Sequence, residues 1–68
     1  MTSTNHLVTV VLPAHNEEAA LPLVVAAIMS AASAWNLEIV IVDDGSTDGT
    51  WREIQRMQKT HREVRGLR

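Results

Sequence analysis

Two short, almost wholly apolar runs flank an apolar stripe of helical spacing. The runs are Leu7-Val8-Thr9-Val10-Val11-Leu12 and Glu38-Ile39-Val40-Ile41-Val42. Both are β-branched and nearly continuous, which reads as strands covered on both faces. Between them, Leu21, Val24, Val25, Ile28, Ala31 and Ala32 recur at i, i+3, i+4 and i+7, the pattern of one buried helix face. Pro22 fits only a first helical turn, so the helix is expected to start near Ala20 or Leu21 and to end near Ala34. Trp51, Ile54 and Met57, with Gln58 and His61 less regularly, mark the inner face of a second helix. Arg52, Glu53, Arg56 and Lys59 fall outward. Glu63 to Arg68 begins a third strand, with Val64 and Gly66 on one face and Leu67 on the other. Residues 1 to 5 are polar and expected to fray.

The order is β-α-β-α-β, an α/β fold with a parallel sheet whose third strand is cut short. A strand order of 3-2-1 puts both helices on one face and leaves the other face of the first two strands bare. Each Val, Leu or Ile left exposed there forfeits about 1.5–3 kcal/mol. A few such residues equal the stability of a small domain. Residues 1–68 are therefore expected to be the N-terminal part of a single larger domain, or to need a partner over the sheet.

The chain has 68 residues and no cysteine, which removes disulfides and thiolate metal sites. Its hydrophobic fraction of 46% argues against disorder. The net charge of −2 conceals a division: residues 1 to 50 hold no Lys or Arg, and all six basic residues follow Thr50. Those six are spaced along a helix and its exit, so a solvated face is expected and no nucleic acid partner. Leu21 to Met29 is apolar, but residues 1 to 20 lack the positive charge of a signal peptide. The run is also shorter than the roughly 20 residues of a spanning helix. No signal peptide or membrane span is expected.

Candidate chemistry gathers where the strands end. Pro13-Ala14-His15-Asn16-Glu17-Glu18 follows the first, and Asp43-Asp44-Gly45-Ser46-Thr47-Asp48-Gly49-Thr50 follows the second. Parallel strands joined by a helix bring both carboxyl ends to one edge, where open α/β sheets bind ligands. Asn16 reads as a helix N-cap, with Glu17 and Glu18 favouring a helix start by charge. Gly45 reads as a position needing φ > 0 or close backbone approach. Neither a G-x-G-x-x-G nor a P-loop pattern is present. D-x-D-G-T phosphatase chemistry lacks its nucleophile, because Val42 and Ser46 stand where the first Asp belongs. His6, His15 and His61 form no metal-ligand pattern.

Val11 to Glu18 followed by Ile39 to Thr50 resembles the start of a family 2 glycosyltransferase of the GT-A fold. Leu21-Pro22-Leu23 and Arg62 to Arg68 look most like the branch that transfers a sugar to a dolichyl or undecaprenyl phosphate. The resemblance implies a nucleotide-sugar-dependent, inverting enzyme of the cytoplasm or its membrane face. It implies a UDP- or GDP-sugar donor, a lipid-phosphate acceptor, and a divalent metal (Mg²⁺ or Mn²⁺) whose ligands are not in this chain.

By similarity, Pro13, His15 and Glu17 line the nucleoside pocket, and Glu17 accepts from both ribose hydroxyls. Asp43 accepts from a ring N–H of the base, Ile41 packs beside it, and Asp44 holds the turn or faces the site. Simpler roles stand beside these: Glu17 as a helix-start charge, Asp43 and Asp44 as turn formers, His15 as a surface histidine, Asn16 as only a cap. Ser46, Thr47 and Asp48 read as caps, and Trp35 and Trp51 as packing residues. No residue here reads as catalytic. A silent fragment or binding module is the alternative to an enzyme. A sugar nucleotidyltransferase would need a Gly-rich basic loop that Pro13 to Glu18 does not supply.

Overall fold

The computed structural model describes residues 7–68, so the expected fraying over residues 1 to 5 lies outside the described residues. Five elements follow in order: β1 (Leu7–Ala14), α1 (Leu21–Ala31), β2 (Asn36–Asp43), α2 (Thr50–Thr60) and β3 (Val64–Leu67). They form one parallel sheet in the order β1-β2-β3. β1 runs two residues further than its apolar pattern. Pro13 lacks an N–H, but β1 is an edge strand here, so a ladder donor is not required of it.

Alternation along the strands decides what is covered. Ala14, Ile39, Ile41 and Val64 join Leu21 and Val25 of α1 and Ile54 and Met57 of α2 in one buried cluster. Each large side chain there is worth about 1.5–3 kcal/mol of burial. The alternate positions face away from both helices. Leu7, Val11 and Leu67 remain 57%, 60% and 51% exposed, so the strands are covered on one face and not on two. Pro13, Val42 and Leu67 pair in one apolar row across that open face. A polar row crosses it nearer the strand starts. There the Thr9 hydroxyl donates to Glu38 at 3.0 Å, and Arg65 donates to the other Glu38 oxygen at 3.4 Å.

Both helices are narrower in contact than their sequences imply. α1 ends at Ala31, three residues early, and a turn leads through Ala34. Its buried stripe is Leu21, Val25 and Ala32, whereas Val24 and Ala31 are exposed. With the sheet on one side only, a single stripe suffices. On α2 the inner face is Thr50, Ile54 and Met57. Gln58 and His61 are exposed, although Gln58 reaches the edge of β3 and accepts from the Gly66 N–H.

Candidate functional site

β1 and β2 end level, with Ala14 opposite Asp43. The chain leaves both strands at the same edge, and the two loops that follow lie side by side. The Asp44 N–H donates to the Ala14 carbonyl at 2.8 Å. His15 Nδ1 donates to the Asp44 carbonyl at 2.7 Å, which leaves Nε2 as the acceptor in a neutral ring. The Glu17 N–H donates to the Thr50 hydroxyl at 2.9 Å.

Asn16 is the centre of this stitching and not a helix cap. α1 begins at Leu21 with Ala20 at its cap position. Asn16 instead sits at φ +52°, the only non-glycine at positive φ among the described residues. Its Oδ1 accepts the N–H groups of Thr47 at 2.8 Å and Asp48 at 3.3 Å. Its own N–H donates to the Ser46 hydroxyl at 2.9 Å. The turn that follows β2 is also set by Gly45 at φ +67°, with open space where a Cβ would lie. Gly45 is therefore required by backbone conformation and not by close approach.

Asp43 is the buried carboxylate of the rim, 4% exposed. Its Oδ1 accepts from the Ser46 N–H at 3.1 Å. Its Oδ2 is buried without a hydrogen-bond partner. An unmet buried acceptor costs about 1–3 kcal/mol. The Arg68 Nε lies 3.9 Å from Oδ2, and the Arg68 guanidinium stands over the Trp51 ring, 5.2 Å from its centroid. The acidic loops taken alone contain no cation; the parallel course of β3 brings this one to their edge. The position of β3 was the available signal, since its carboxyl end must share the rim.

The remaining predicted residues divide. Pro13, His15, Glu17 and Asp44 are exposed at or next to the rim. Glu17 Oε1 accepts its neighbour His15's N–H at 3.2 Å, which orients the carboxylate within its own loop. Ile41 has no exposed surface and belongs to the core. It lies two residues inside β2 on the helix-facing side, so it presents nothing to a ligand. Trp35 lines a cavity of about 390 Å³ with Met29, Leu37, Arg62 and Glu63. That cavity opens at the starts of β2 and β3, away from the acidic rim.

The start of α2 is held by acids. The Thr50 hydroxyl, fully buried, donates to Asp48 Oδ1, and the Thr50 N–H donates to the same oxygen at 2.9 Å. The hydroxyl bond is the main cause that holds the Asp48 carboxyl below its usual range, partly offset by desolvation. Glu18 Oε1 accepts the Gly49 N–H at 3.1 Å, and a Cβ on Gly49 would lie 2.7 Å from Glu18 Oε2. Ser46 and Thr47, read as caps, are partners of Asn16 instead.

The model of the glycosyl transferase family 2 domain matches residues 9–68, nearly the whole chain. The chain belongs to glycosyl transferase family 2. One relative is the undecaprenyl-phosphate 4-deoxy-4-formamido-L-arabinose transferase of Aeromonas hydrophila, 44% identical over 46 residues. The match takes in 65% of this chain and 14% of that relative. The chain therefore spans a small part of the length of the curated relative it matches.

A family 2 glycosyltransferase is expected to use a divalent metal, and the rim can be tested for one. No three His, Asp or Glu side chains converge to hold a metal ion among the described residues. The bare oxygen of Asp43 faces a guanidinium, which would repel a cation. These residues do not fit a divalent ion. Among the described residues, no helix is long and apolar enough to cross a membrane.

Proposed function

We propose that the chain is the donor-nucleoside-binding part of an inverting, nucleotide-sugar-dependent glycosyltransferase. The observation that carries this reading is Asp43, whose buried Oδ2 lacks a partner at the carboxyl edge of the sheet. A pyrimidine or purine ring N–H supplies the missing donor. Glu17, one loop across, offers a carboxylate to the vicinal ribose hydroxyls, since one such group accepts from two donors. His15 forms the wall between them, Pro13 lies behind it on the open sheet face, and Asp44 holds the turn through its backbone. Family membership supplies the reaction class.

In that reaction an acceptor oxygen attacks the anomeric carbon, the bond to the diphosphate breaks, and configuration inverts. The described residues bind and orient the donor. None of them is assigned as the base that removes an acceptor proton. The acceptor is a polyprenyl phosphate, for which support comes from the undecaprenyl-phosphate relative. The site works at the cytoplasmic membrane face. The large apolar side chains on the open sheet face are covered in the working protein, by further polypeptide or by a partner subunit.

The test is calorimetric titration of the full-length protein with UDP-glucose and GDP-mannose, with and without Mn²⁺. Saturable binding of one donor is expected, weakened by Asp43→Ala and by Glu17→Ala. Unchanged binding in both variants would sink the assignment. A module that binds nucleotide without transfer uses the same rim. Sugar transfer to a polyprenyl phosphate separates the two readings.

A further inference from the structure

We propose that Asn16 is a positioning residue that sets the spacing between the two acidic loops. The inference rests on the donor-site reading above. Asn16 bonds to three successive residues of the opposite loop, Ser46, Thr47 and Asp48. Its Oδ1 also lies 3.4 Å from the Thr47 hydroxyl. Ser46 in turn donates its N–H to Asp43 Oδ1, so the clamp connects through one residue to the buried carboxylate. On the near side, Asn16 is bonded in sequence to Glu17, whose N–H ends on Thr50. Glu17 and Asp43 are thus fixed against one another through Asn16 and its partners.

Two simpler accounts of Asn16 make different demands. A helix cap would have to stand at the start of α1, and Asn16 lies well ahead of Leu21. A residue needed only to turn the backbone at φ +52° would be replaced by glycine without loss, because glycine enters that region freely. A clamp needs the side-chain oxygen as well. Aspartate supplies that oxygen and tolerates the left-handed backbone, but it forgoes the 3.4 Å contact from Asn16 Nδ2 to His15 Nε2 and adds a negative charge among the acids of both loops.

The variants N16G and N16D of the full-length protein discriminate these accounts. Two quantities are measured well below the melting temperature of each: amide exchange at Thr47 and Asp48, and affinity for UDP and GDP and for their nucleosides. A clamp predicts that N16G frees both amides and weakens nucleotide binding about tenfold, the equivalent of one lost hydrogen bond at the site. N16D is expected to keep both amides protected, since its carboxylate keeps the acceptor role, and to bind the uncharged nucleosides uridine and guanosine within about threefold of wild type. Wild-type affinity in N16G, with its amides freed, overturns the positioning role alone. A wild-type protein that binds neither nucleotide overturns the donor reading, and the positioning role with it.

Discussion

Asp44 donates its backbone N–H to the Ala14 carbonyl at 2.8 Å, which carries the β1–β2 pairing one step beyond the strands. The acidic rim therefore starts from a rigid ladder. The loops leave from matched positions, and Asp43 is held at the last rung with one oxygen bonded and one bare. The substitutions of Asp43 follow from that asymmetry. Asp43→Asn can keep an acceptor toward the Ser46 N–H but removes the charge, and Asp43→Ala removes both. The donor KM is expected to rise in the order wild type, Asn, Ala. Loss of a charge-assisted bond amounts to about 1.5–3 kcal/mol, or roughly 10- to 150-fold. Steady-state kinetics across a donor series would read it, and equal KM values in all three would refute it.

Thr50 is the buried hydroxyl under the rim, accepting from Glu17 and donating to Asp48. Thr50→Val keeps the shape and strands the Glu17 N–H. It is expected to cost about 1–3 kcal/mol in denaturant unfolding. Thr50→Ser retains the hydroxyl and should cost less. Equal losses in the two variants would mean that the methyl group, not the hydroxyl, matters.

Asp48 makes the acid limb of stability partly its own. Its carboxyl is held low first by the Thr50 hydroxyl. A lowered folded value means that the stabilisation is present above the usual carboxylate range and is lost as pH falls through the folded value. The window lies below about pH 4. Asp48→Asn should flatten the unfolding profile there and change its slope little near pH 7. A profile parallel to wild type from pH 2 to 5 would contradict this.

Gly66 lies where α2 crosses β3, and a Cβ there would meet Ile54 Cγ2 at 2.5 Å. Gly66→Ala should destabilise by about 1–3 kcal/mol through overpacking. Ile54→Ala removes the opposing methyl and opens a cavity, at about 2–5 kcal/mol. Combined, the two should cost less than their sum. Strict additivity in the double-mutant cycle would place the clash elsewhere.

Leu7, Val11 and Leu67 on the open sheet face predict how residues 1–68 behave alone. Residues 1–68 expressed alone should associate or lack a sharp thermal transition. A monomer in sedimentation with a cooperative melt would show that the face tolerates water.

Much of this arrangement was readable from the chain. Periodicity located all five elements, because runs such as Ile39–Val42 and the spacing of Ile54 and Met57 are local signals. Strand parity also foretold that Val64 and Gly66 share a side. The errors have a common physical origin. Ile41 was read by resemblance as packing beside the base, yet a position two residues inside a strand on the helix side is filled by core. Asn16 seemed a cap because caps are recognised from neighbours, while its actual partners stand 30 to 32 residues away. Arg68 was read as part of a solvated basic tail, because only the sheet's parallel course carries it back to the acids.

The bond from the Gly49 amide to Glu18 leaves the first turn of α2 occupied by the protein's own carboxylate. Helix starts of this kind are where α/β proteins often seat an anion, and here that seat is taken. Charge balance for a diphosphate must then come from guanidinium groups or dissolved cations, both strongly screened by electrolyte. Donor affinity should accordingly fall steeply with ionic strength, whereas affinity for an uncharged nucleoside should scarcely respond.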